Sequence, residues 1–250
     1  MDQPTFTTRE AAREARFHGV WWGDLPDVFA DVAPYYDRAN VIATLGQLQR
    51  LLRGFMATIE LTPNARVLDL CAGTNAVGIA LLEREPTLQV QAMDRSAEMQ
   101  RVGRERAQAR GLHIDSVIGD AHRLPFADAQ FDLVTLQFAS RHLRVERVFA
   151  EVWRVLKPGG RFYHCDMLRP ANVMVEALYY AYLRPCLAVT ATRFGSGSAA
   201  RRCQRYFIDA LRDFYSAEEL SVVLSNQGFR DVRAQTPLLG TVGYHRATKP

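Results

Sequence analysis

Cysteine is scarce in this sequence and widely spaced. Four cysteines occur in 250 residues (Cys71, Cys165, Cys186 and Cys203), without a CxxC pair and without a histidine at zinc-finger spacing. This spacing argues against a structural zinc site, and a disulfide framework is not expected in a chain of this length. We therefore predict a reduced, cytoplasmic, single-domain protein without a bound metal.

Long hydrophobic runs are also missing. The segment 1–17 has no continuous apolar stretch, which argues against a secretory signal. The most apolar stretch, 173–189, is interrupted by Glu176, Arg184 and Pro185, so it does not predict a membrane span. No internal repeat and no long Gly/Ser/Pro linker divides the chain. With 48% apolar residues, the composition is that of one ordinary globular protein.

The sequence has only a small excess of positive charge. Thirty-one Lys and Arg against 27 Asp and Glu leave a net charge of +4, which is too little and too dispersed to indicate nucleic-acid binding. Two clusters of arginine stand out, at 101, 104, 106 and 110 and at 201, 202 and 205. We expect both to lie on solvated helix faces, with weak contact to an anionic membrane surface as a second interpretation.

Short β-like runs alternate with helical patterns in the middle of the chain. Strands are predicted at 66–71, 90–94, 116–120, 131–138 and 161–166. Helices are predicted between them at 75–84, 97–110 and 145–156, the last ended by the Lys-Pro-Gly-Gly segment 157–160. This alternation implies right-handed βαβ units and a parallel sheet that is covered on both faces.

The flanking regions are predicted to be mainly helical. Apolar residues recur at helical intervals over 41–59, and an apolar helical region spans 171–193. Ser216 begins a capping-box pattern that opens a later helix. The segments 231–235 and 241–245 are predicted to form a final antiparallel pair at the sheet edge.

The predicted fold is therefore α/β. We expect a Rossmann-like, doubly wound, mostly parallel seven-stranded sheet with an antiparallel edge strand. Residues 1–60 are expected to form a helical lid or substrate region. Residues 61–250 would form the Rossmann-like domain, with 171–215 as a helical insertion that covers the substrate.

Small and acidic residues follow the first three predicted strands. In an open parallel sheet, ligands bind outside the carboxyl ends of the strands. The first strand runs into Ala72 and Gly73, where small side chains let the backbone approach a ligand, and then into Asn75, a good helix cap that tolerates left-handed backbone angles. Asp94 ends the second strand, where a carboxylate can accept both hydroxyls of a ribose. Asp120-Ala121 ends the third and is placed to meet an adenine edge.

The loop after the first strand argues against a dinucleotide. The sequence from Gly73 to Gly78 lacks one glycine of the GxGxxG pattern. Asp69 would repel a pyrophosphate but would favour a cationic ligand without phosphates. Adenine, ribose and a positive end together describe S-adenosylmethionine. The alternative is that Asp69 and Asp94 only cap strands.

Eight motifs give the chain a resemblance to a known family. They are VAPYYD (32–37), VLDLCAGT (67–74), AMD (92–94), GDAHRLPFADAQFD (119–132), FASRHL (138–143), EVWRVLKPGGRF (151–162), RYFIDALRDFYSAEEL (205–220) and GYHRATK (243–249). From about residue 28 to its end, the chain resembles class I S-adenosylmethionine-dependent methyltransferases. It is most similar to the ubiquinone/menaquinone-biosynthesis C-methyltransferases.

The resemblance implies a role for each matching position. The implied cofactor-binding residues are Asp69, Gly73 and Thr74 for the methionine part, Asp94 for the ribose, Asp120 and Ala121 for the adenine, Gln137 below the sulfonium and Tyr36 over the methionine carboxylate.

Two departures from the family pattern are expected to matter. Asn75 stands where the family usually has Gly, which would reshape cofactor binding. Ser140-Arg141-His142 stands for Leu-Arg-Asn, which would change the substrate pocket.

Three further residues are candidates for the chemistry. Methyl transfer is an in-line displacement in which positioning supplies most of the acceleration, so neither a metal nor a covalent enzyme intermediate is required. A phenol or hydroquinone carbon reacts faster when its O–H proton is removed, and a positioned base contributes roughly 10²–10⁴-fold. His142 and His245 are candidate bases, and Arg141 is a candidate to stabilise a phenolate. A structural hydrogen bond for either histidine, and an ion pair to a helix carboxylate for Arg141, are the ordinary alternatives.

We therefore predict a methyltransferase that acts on a small aromatic or lipophilic acceptor, with C-methylation of a quinol or phenol ring preferred. The alternatives are an O- or N-methyltransferase of a natural product, a pericyclase or decarboxylase on the same frame, and a non-catalytic subunit. The expected partners are a small-molecule substrate and a second copy in a homodimer, and no nucleic acid is expected.

Overall fold

Seven strands form one mixed sheet at the centre of the computed structural model, which describes residues 5–44, 46–194, 197–198, 201 and 203–250. The strands are β1 (Arg66–Leu70), β2 (Gln89–Asp94), β3 (Asp115–Ile118), β4 (Phe131–Gln137), β5 (Leu156–Met167), β6 (Arg230–Gln235) and β7 (Val242–Thr248). Their order is β3-β2-β1-β4-β5-β7-β6. The first five are parallel, and β7 runs antiparallel to both β5 and β6. The predicted fold class is confirmed.

Helices precede, connect and follow the strands. They are α1 (Phe6–Gly19), α2 (Leu25–Val32), α3 (Tyr36–Ala43), α4 (Leu48–Thr58), α5 (Ala76–Arg84), α6 (Ala97–Gln108), α7 (Val145–Val155), α8 (Val173–Arg193), α9 (Gln204–Arg212) and α10 (Ala217–Asn226). Within the described ranges, none of these helices is long and apolar enough to span a membrane.

Apolar side chains lie on both faces of the sheet, and helices cover both faces because these side chains must be buried. On one face, Leu68 and Val134 belong to a core that contains α7 and α10 residues. On the other face, Val67 and Leu133 belong to a core that contains residues of α4 and α5. Because β1 and β4 are buried on both faces, their sequences are mostly apolar and do not alternate strictly with polar residues.

The helical pattern over 41–59 does not form one helix. α3 ends at Ala43 and α4 begins at Leu48. Gly46 adopts a left-handed φ of +74°, and its N–H donates to the carbonyl of Val41 over 2.7 Å. This is a glycine helix-ending motif, and it interrupts the helix although the apolar spacing continues.

The fifth strand begins five residues earlier than predicted. The Lys-Pro-Gly-Gly segment does follow the end of α7, but it forms an irregular part of β5. Phe131 of β4 pairs with Leu156, whereas Leu133 pairs with Arg161, so extra residues bulge out of β5. Gly159 at φ +77° makes this bulge possible.

The predicted capping box at the start of α10 is confirmed. The Ser216 side chain accepts from the Glu219 N–H over 3.3 Å, and the Glu219 carboxylate accepts from the Ser216 N–H over 2.9 Å. Glu219 also pairs with Arg9 of α1 and with Arg169 after β5. The cap therefore also ties α1 to the sheet domain.

A left-handed residue connects β1 to α5. Asn75 has a φ of +58°, as its residue type allows, but its side chain does not cap α5 as predicted. Instead its Oδ1 accepts from Gln100 Nε2 of α6 over 3.0 Å, and the same amide donates to the Gly73 carbonyl. A Cβ on Gly103 of α6 would lie 2.7 Å from Asn75 Cγ. Helix α6 thus packs directly on the loop that follows β1.

The contact between Gly103 and Asn75 generates a stability prediction. We expect Gly103→Ala to destabilise the protein, because forcing a methyl group into a packed site costs about 1–3 kcal/mol. That cost exceeds the roughly 1 kcal/mol that alanine gains over glycine in a helix. In an Asn75→Gly background the clash with the Asn75 side chain is removed and only the 3.0 Å contact with the Thr74 backbone is left, so the same substitution should cost less. Urea unfolding of the four proteins measures this coupling.

Gly19→Ala provides the control, because a Cβ at Gly19 meets no atom within 4 Å. The interpretation is wrong if Gly103→Ala costs the same free energy of unfolding in the wild type and in the Asn75→Gly background.

Candidate active site

Three neighbouring cavities lie at the carboxyl ends of the parallel strands. The strand-end cavity has a volume of about 300 Å³ and lies over β2, β3 and β4. The loop cavity, about 180 Å³, lies beside the loop after β1, and the helical cavity, about 140 Å³, lies between α2, α3, α8 and α9. Tyr36 lines all three, so they converge on one side chain.

Asp94 dominates the polar side of the strand-end cavity. Its Oδ2 accepts from the Gly73 N–H and its Oδ1 from the Ser96 N–H, both over 2.8 Å. Burial raises the pKa of Asp94, although the backbone hydrogen bonds partly oppose this effect. A carboxylate in this setting gains from hydroxyl donors, which is the chemistry of a ribose site.

The end of β3 supplies small groups to the same cavity. Gly119 and Ala121 line it, as the sequence predicts for Ala121. Asp120 is not among the described lining residues, because its Oδ1 accepts from the N–H and Nδ1 of His122 over 3.0 and 2.6 Å. Burial favours a higher pKa for Asp120, but these hydrogen bonds outweigh it and the pKa is lowered. At the end of β3 the cavity is therefore bounded by small residues, and the Asp120 carboxylate lies behind them.

Asp69 is buried beside the loop cavity. Its Oδ1 accepts from Thr135 Oγ1 over 2.7 Å, and its Oδ2 accepts from the Gly78 N–H over 3.0 Å. Burial raises the pKa of Asp69 to about 7, despite both hydrogen bonds. The carboxyl group therefore holds the loop and α5 together and is half protonated near neutral pH. A cation in the loop cavity would favour its ionised form.

Thr74 joins this loop to helix α3. Its Oγ1 donates to Asp37 Oδ1 over 3.1 Å and accepts from Arg106 Nη1 over 2.6 Å. Asp37 and Arg106 form an ion pair at 2.5 Å. The predicted residues Tyr36, Gly73 and Thr74 are thus brought together at the loop cavity.

Gln137 lies where the strand-end and loop cavities meet, and it lines both. Its Nε2 is buried and makes no hydrogen bond to any described residue. A buried amide donor is normally satisfied, so this group indicates a ligand. Together with the Asp94 carboxylate and the small residues around it, Gln137 gives a site into which S-adenosylmethionine fits.

The roof of the strand-end cavity comes from the N-terminal helices. Trp21, Leu25 and Phe29 line the cavity. Arg95 donates to the Trp21 carbonyl and lies 4.7 Å from the Trp21 ring and 4.4 Å from the Trp22 ring. The predicted lid region therefore contacts the end of β2 through one arginine.

The helical cavity is apolar. Its lining includes Val32, Leu183, Leu187, Phe207 and Leu211. Of the described residues around it, only Arg141 carries a full charge. Phe29 and Tyr36 line both this cavity and the strand-end cavity, so they separate the two.

Arg141 is held by a buried carboxylate. Its Nη1 donates to Asp166 Oδ1 over 2.5 Å and to the Phe138 carbonyl over 2.8 Å. Ser140 Oγ donates to the other oxygen of Asp166 over 2.6 Å. The partner of Arg141 is therefore on strand β5 and not on a helix, and the guanidinium still lines the helical cavity.

His142 lines the strand-end cavity. Its Nδ1 is 2.8 Å from Tyr206 Oη, while its Nε2 is buried and has no partner among residues 5–44, 46–194, 197–198, 201 and 203–250. Burial holds the pKa of His142 well below its usual range, and the nearby Arg141 and Arg13 charges lower it further. The imidazole is therefore neutral, and one of its nitrogens is buried without a hydrogen bond to the described residues.

His245 is not brought to the site. It lies in the middle of β7, where its Nε2 donates to the Ala217 carbonyl over 3.0 Å and its ring packs 5.5 Å from that of His164. It is absent from the described lining of all three cavities. We therefore assign it a structural hydrogen bond and no part in the chemistry.

Sequence reasoning missed several residues of the site. Asp166 is the last residue of the predicted fifth strand, so the signal that marks Asp94 and Asp120, an acidic residue at a strand end, also marks Asp166. Thr135 and Tyr206 act through side-chain partners far away in the sequence, Asp69 and His142. No local pattern marks such residues.

Comparisons with known proteins agree with this geometry. The curated demethylmenaquinone methyltransferase of Renibacterium salmoninarum is 33% identical over 223 residues, which cover 89% of this chain and 90% of that protein. The structure of a SAM-dependent methyltransferase from Aquifex aeolicus covers 85% of this chain and 98% of its own, with a TM-score of 0.57 at 18% identity. Phosphoethanolamine N-methyltransferase 2 of Haemonchus contortus, solved with phosphomonomethylethanolamine and S-adenosylhomocysteine, has a TM-score of 0.60 at 15% identity. That match covers 82% of this chain and 53% of the Haemonchus chain, and at such identities both structures show the fold alone.

The length of the match to a family profile establishes the family of this chain. The profile of the ubiE/COQ5 methyltransferase family matches residues 19–249, which include all eight motifs of the predicted resemblance. The resemblance is confirmed. The chain belongs to the ubiE/COQ5 methyltransferase family and is an S-adenosylmethionine-dependent methyltransferase.

Proposed function

We propose that the enzyme methylates a ring carbon of a lipophilic quinol of the demethylmenaquinone type. The observation that carries this proposal is the convergence of three cavities on Tyr36, one of them apolar with a single cation, Arg141. An apolar cavity suits an aromatic ring and its hydrocarbon substituent, and the cation suits a ring oxygen. The name of the Renibacterium relative supports the same substrate class.

The residues of the strand-end and loop cavities would hold the cofactor. In this proposal Asp94 accepts the ribose hydroxyls, and Ala121 shapes the adenine side with Asp120 behind it. Gly73, Thr74 and the ionised Asp69 face the methionine part, with Gln137 below and Tyr36 above. When bound, S-adenosylmethionine supplies an electrophilic methyl group.

Arg141 and His142 would act on the acceptor. A ring carbon becomes more nucleophilic when the neighbouring hydroxyl loses its proton, because negative charge spreads from the oxygen into the ring. Arg141 lies in the helical cavity, where its positive charge stabilises a phenolate oxygen. The low pKa of His142 makes it a weak base, so in this proposal its unpaired Nε2 takes the hydroxyl proton only as Arg141 stabilises the phenolate that forms.

The segments that close the site are also part of the proposal. We assign residues 1–60 the role of a lid, since Trp21, Leu25 and Phe29 cover the strand-end cavity. Residues 171–215 would cover the substrate, since α8 and α9 form the helical cavity. The homodimer and the cytoplasmic location stay predictions.

The first test is methyl transfer itself. With methyl-labelled S-adenosylmethionine and a short-chain demethylnaphthoquinol, we expect mass spectrometry to place one labelled methyl on a ring carbon. Ala191→Phe should reduce kcat/KM for the acceptor at least about tenfold, because the new ring fills part of the 140 Å³ helical cavity. Cofactor affinity should stay the same.

Thr192→Phe is the matched control, since Thr192 is the next residue of α8 but is exposed. Label on an oxygen, or tight cofactor binding without any transfer, would contradict the proposal. The second result would favour a different reaction on this fold.

The raised pKa of Asp69 predicts how cofactor binding depends on pH. Below about pH 7 the carboxyl group is protonated and neutral, and above it is a carboxylate that attracts a cation. The ionised fraction rises about tenfold from pH 6 to pH 8, so affinity for S-adenosylmethionine should rise by up to about tenfold over the same range. Calorimetry should also detect proton release on binding near pH 6.

Asp69→Asn keeps the shape of the side chain and removes its ionisation. We expect this variant to bind more weakly and to lose the pH dependence. A wild-type affinity that is constant between pH 6 and pH 8 would exclude Asp69 as a partner of the cationic end.

The unpaired Nε2 of His142 predicts a loss in turnover when this side chain is removed. His142→Ala should lower kcat by roughly 10²-fold, within the usual range for a lost base, and should leave cofactor affinity within about a factor of two. His142→Asn should recover part of the loss, because its amide oxygen also accepts a hydrogen bond. Steady-state kinetics and a cofactor titration separate the two effects. A change in cofactor affinity alone would show that His142 belongs to the cofactor site.

A further inference from the structure

Helix α8 is apolar on the face that packs toward the protein and on the face that points to solvent. Its inner face carries Leu183 and Leu187, which line the helical cavity. Its outer face carries Val173, Met174, Leu178 and Val189, whose exposed fractions are 58%, 72%, 71% and 53%. These four residues with the alanines at 177, 181 and 188 and Pro185 define the outer α8 face.

The outer α8 face departs from the usual pattern of a surface helix. A surface helix normally places polar residues opposite its core face, and a helix that is apolar all round is normally buried. Among the exposed residues described on α8, none is acidic, and Arg184 and Arg193 carry the charges. A contiguous exposed apolar surface of this kind marks an interaction site.

A second apolar element lies at the same edge of the sheet. The turn Leu238–Gly240 presents Leu239 at 79% exposure and Leu238 at 43%. Both leucines have left-handed backbones, with φ values of 57° and 52°, which residues other than glycine rarely adopt. We call this turn the leucine turn.

Strand pairing brings the leucine turn to the start of α8. Met167 at the end of β5 pairs with Val242 at the start of β7. The Leu168 N–H then donates to the Thr241 carbonyl over 2.9 Å. The leucine turn ends one residue before Thr241, and α8 begins five residues after Leu168. The two apolar elements therefore leave the sheet side by side.

The charge around α8 selects among possible partners. Residues 172–205 contain five arginines, at 184, 193, 201, 202 and 205, and a single acidic residue, Glu176. Apolar residues flanked by arginines are the pattern of helices that lie in the interface of an anionic bilayer. A second copy of this chain would bring the same positive charge to the contact and would be repelled.

We propose that the outer α8 face and the leucine turn dock on the surface of a bilayer that contains anionic lipids. The exposed apolar side chains enter the boundary between headgroups and acyl chains, and Arg184 and Arg193 meet the headgroup phosphates. The opposite face of the same helix forms the helical cavity, so docking places that cavity next to the membrane. One part of this placement rests on the proposed function, namely that a lipophilic quinol would enter the helical cavity from the bilayer.

Vesicle binding tests the proposal. We expect the full chain to co-sediment with phosphatidylcholine vesicles that contain phosphatidylglycerol, and to bind at least about tenfold more weakly to phosphatidylcholine alone or at high salt. Leu178→Asp and Leu239→Asp should each weaken binding, and together they should reduce it at least about tenfold. Val222→Asp is the matched control, because Val222 is 58% exposed on α10 and lies outside the surface. Circular dichroism confirms that each variant is folded.

Three outcomes would overturn the proposal. They are failure of the wild type to bind anionic vesicles, equal weakening by Val222→Asp, and a wild-type dimer without vesicle affinity that Leu178→Asp dissociates. Methylation of a water-soluble short-chain quinol separates docking from chemistry, and the two aspartate variants should retain the wild-type rate. Vesicle binding that depends on Leu178 and Leu239, without methylation of any quinol, would refute the proposed function and leave the docking surface supported.

Discussion

Two carboxylates, the buried Asp69 and the half-buried Asp94, hold the site together. Asp69 accepts from the Gly78 N–H and Asp94 from the Gly73 N–H, so the loop after β1 is fixed at both ends by acidic residues of neighbouring strands. Burial raises the pKa of both groups, which means that the protein without a ligand leaves their negative charge poorly compensated. Hydroxyl donors near Asp94 and a cation near Asp69 would relieve this cost. The preference for a cationic nucleoside over a phosphate-bearing one therefore follows from the same contacts that shape the loop.

Much of the sheet could be predicted because its strands are buried on both faces. Runs such as 66–71 and 131–138 are mostly apolar, and small residues follow them, Ala72-Gly73 and Ala139-Ser140. Once the strand order follows from βαβ units, the carboxyl ends of the strands must meet, and Asp94 becomes a candidate from position alone, whereas Gln137 follows only from the family resemblance. The structure does bring these two residues to the strand-end cavity.

The remaining features depend on contacts that no local pattern records. Asp120 has the expected position in the sequence, but His122 occupies its carboxylate. His245 lies near the predicted edge, but a partner on α10 draws it into the core. The apolar spacing over 41–59 continues across a break that a single left-handed glycine, Gly46, produces. Each of these outcomes is decided by one hydrogen bond or one backbone angle, whereas the periodic signals average over many residues.

The two departures from the expected family pattern both contact residues that are distant in the sequence. Asn75 keeps the left-handed backbone that glycine would supply, and its larger side chain is accommodated because Gly103 leaves room on α6. Ser140 points away from the cavities: its hydroxyl donates to Asp166 and therefore accepts from the Nε2–H of His164, whose pKa burial holds well below its usual range. This arrangement fixes the carboxylate that holds Arg141. Asn75 and Ser140 therefore support the loop and the arginine, whereas His142, the third residue of the second departure, lines the strand-end cavity itself.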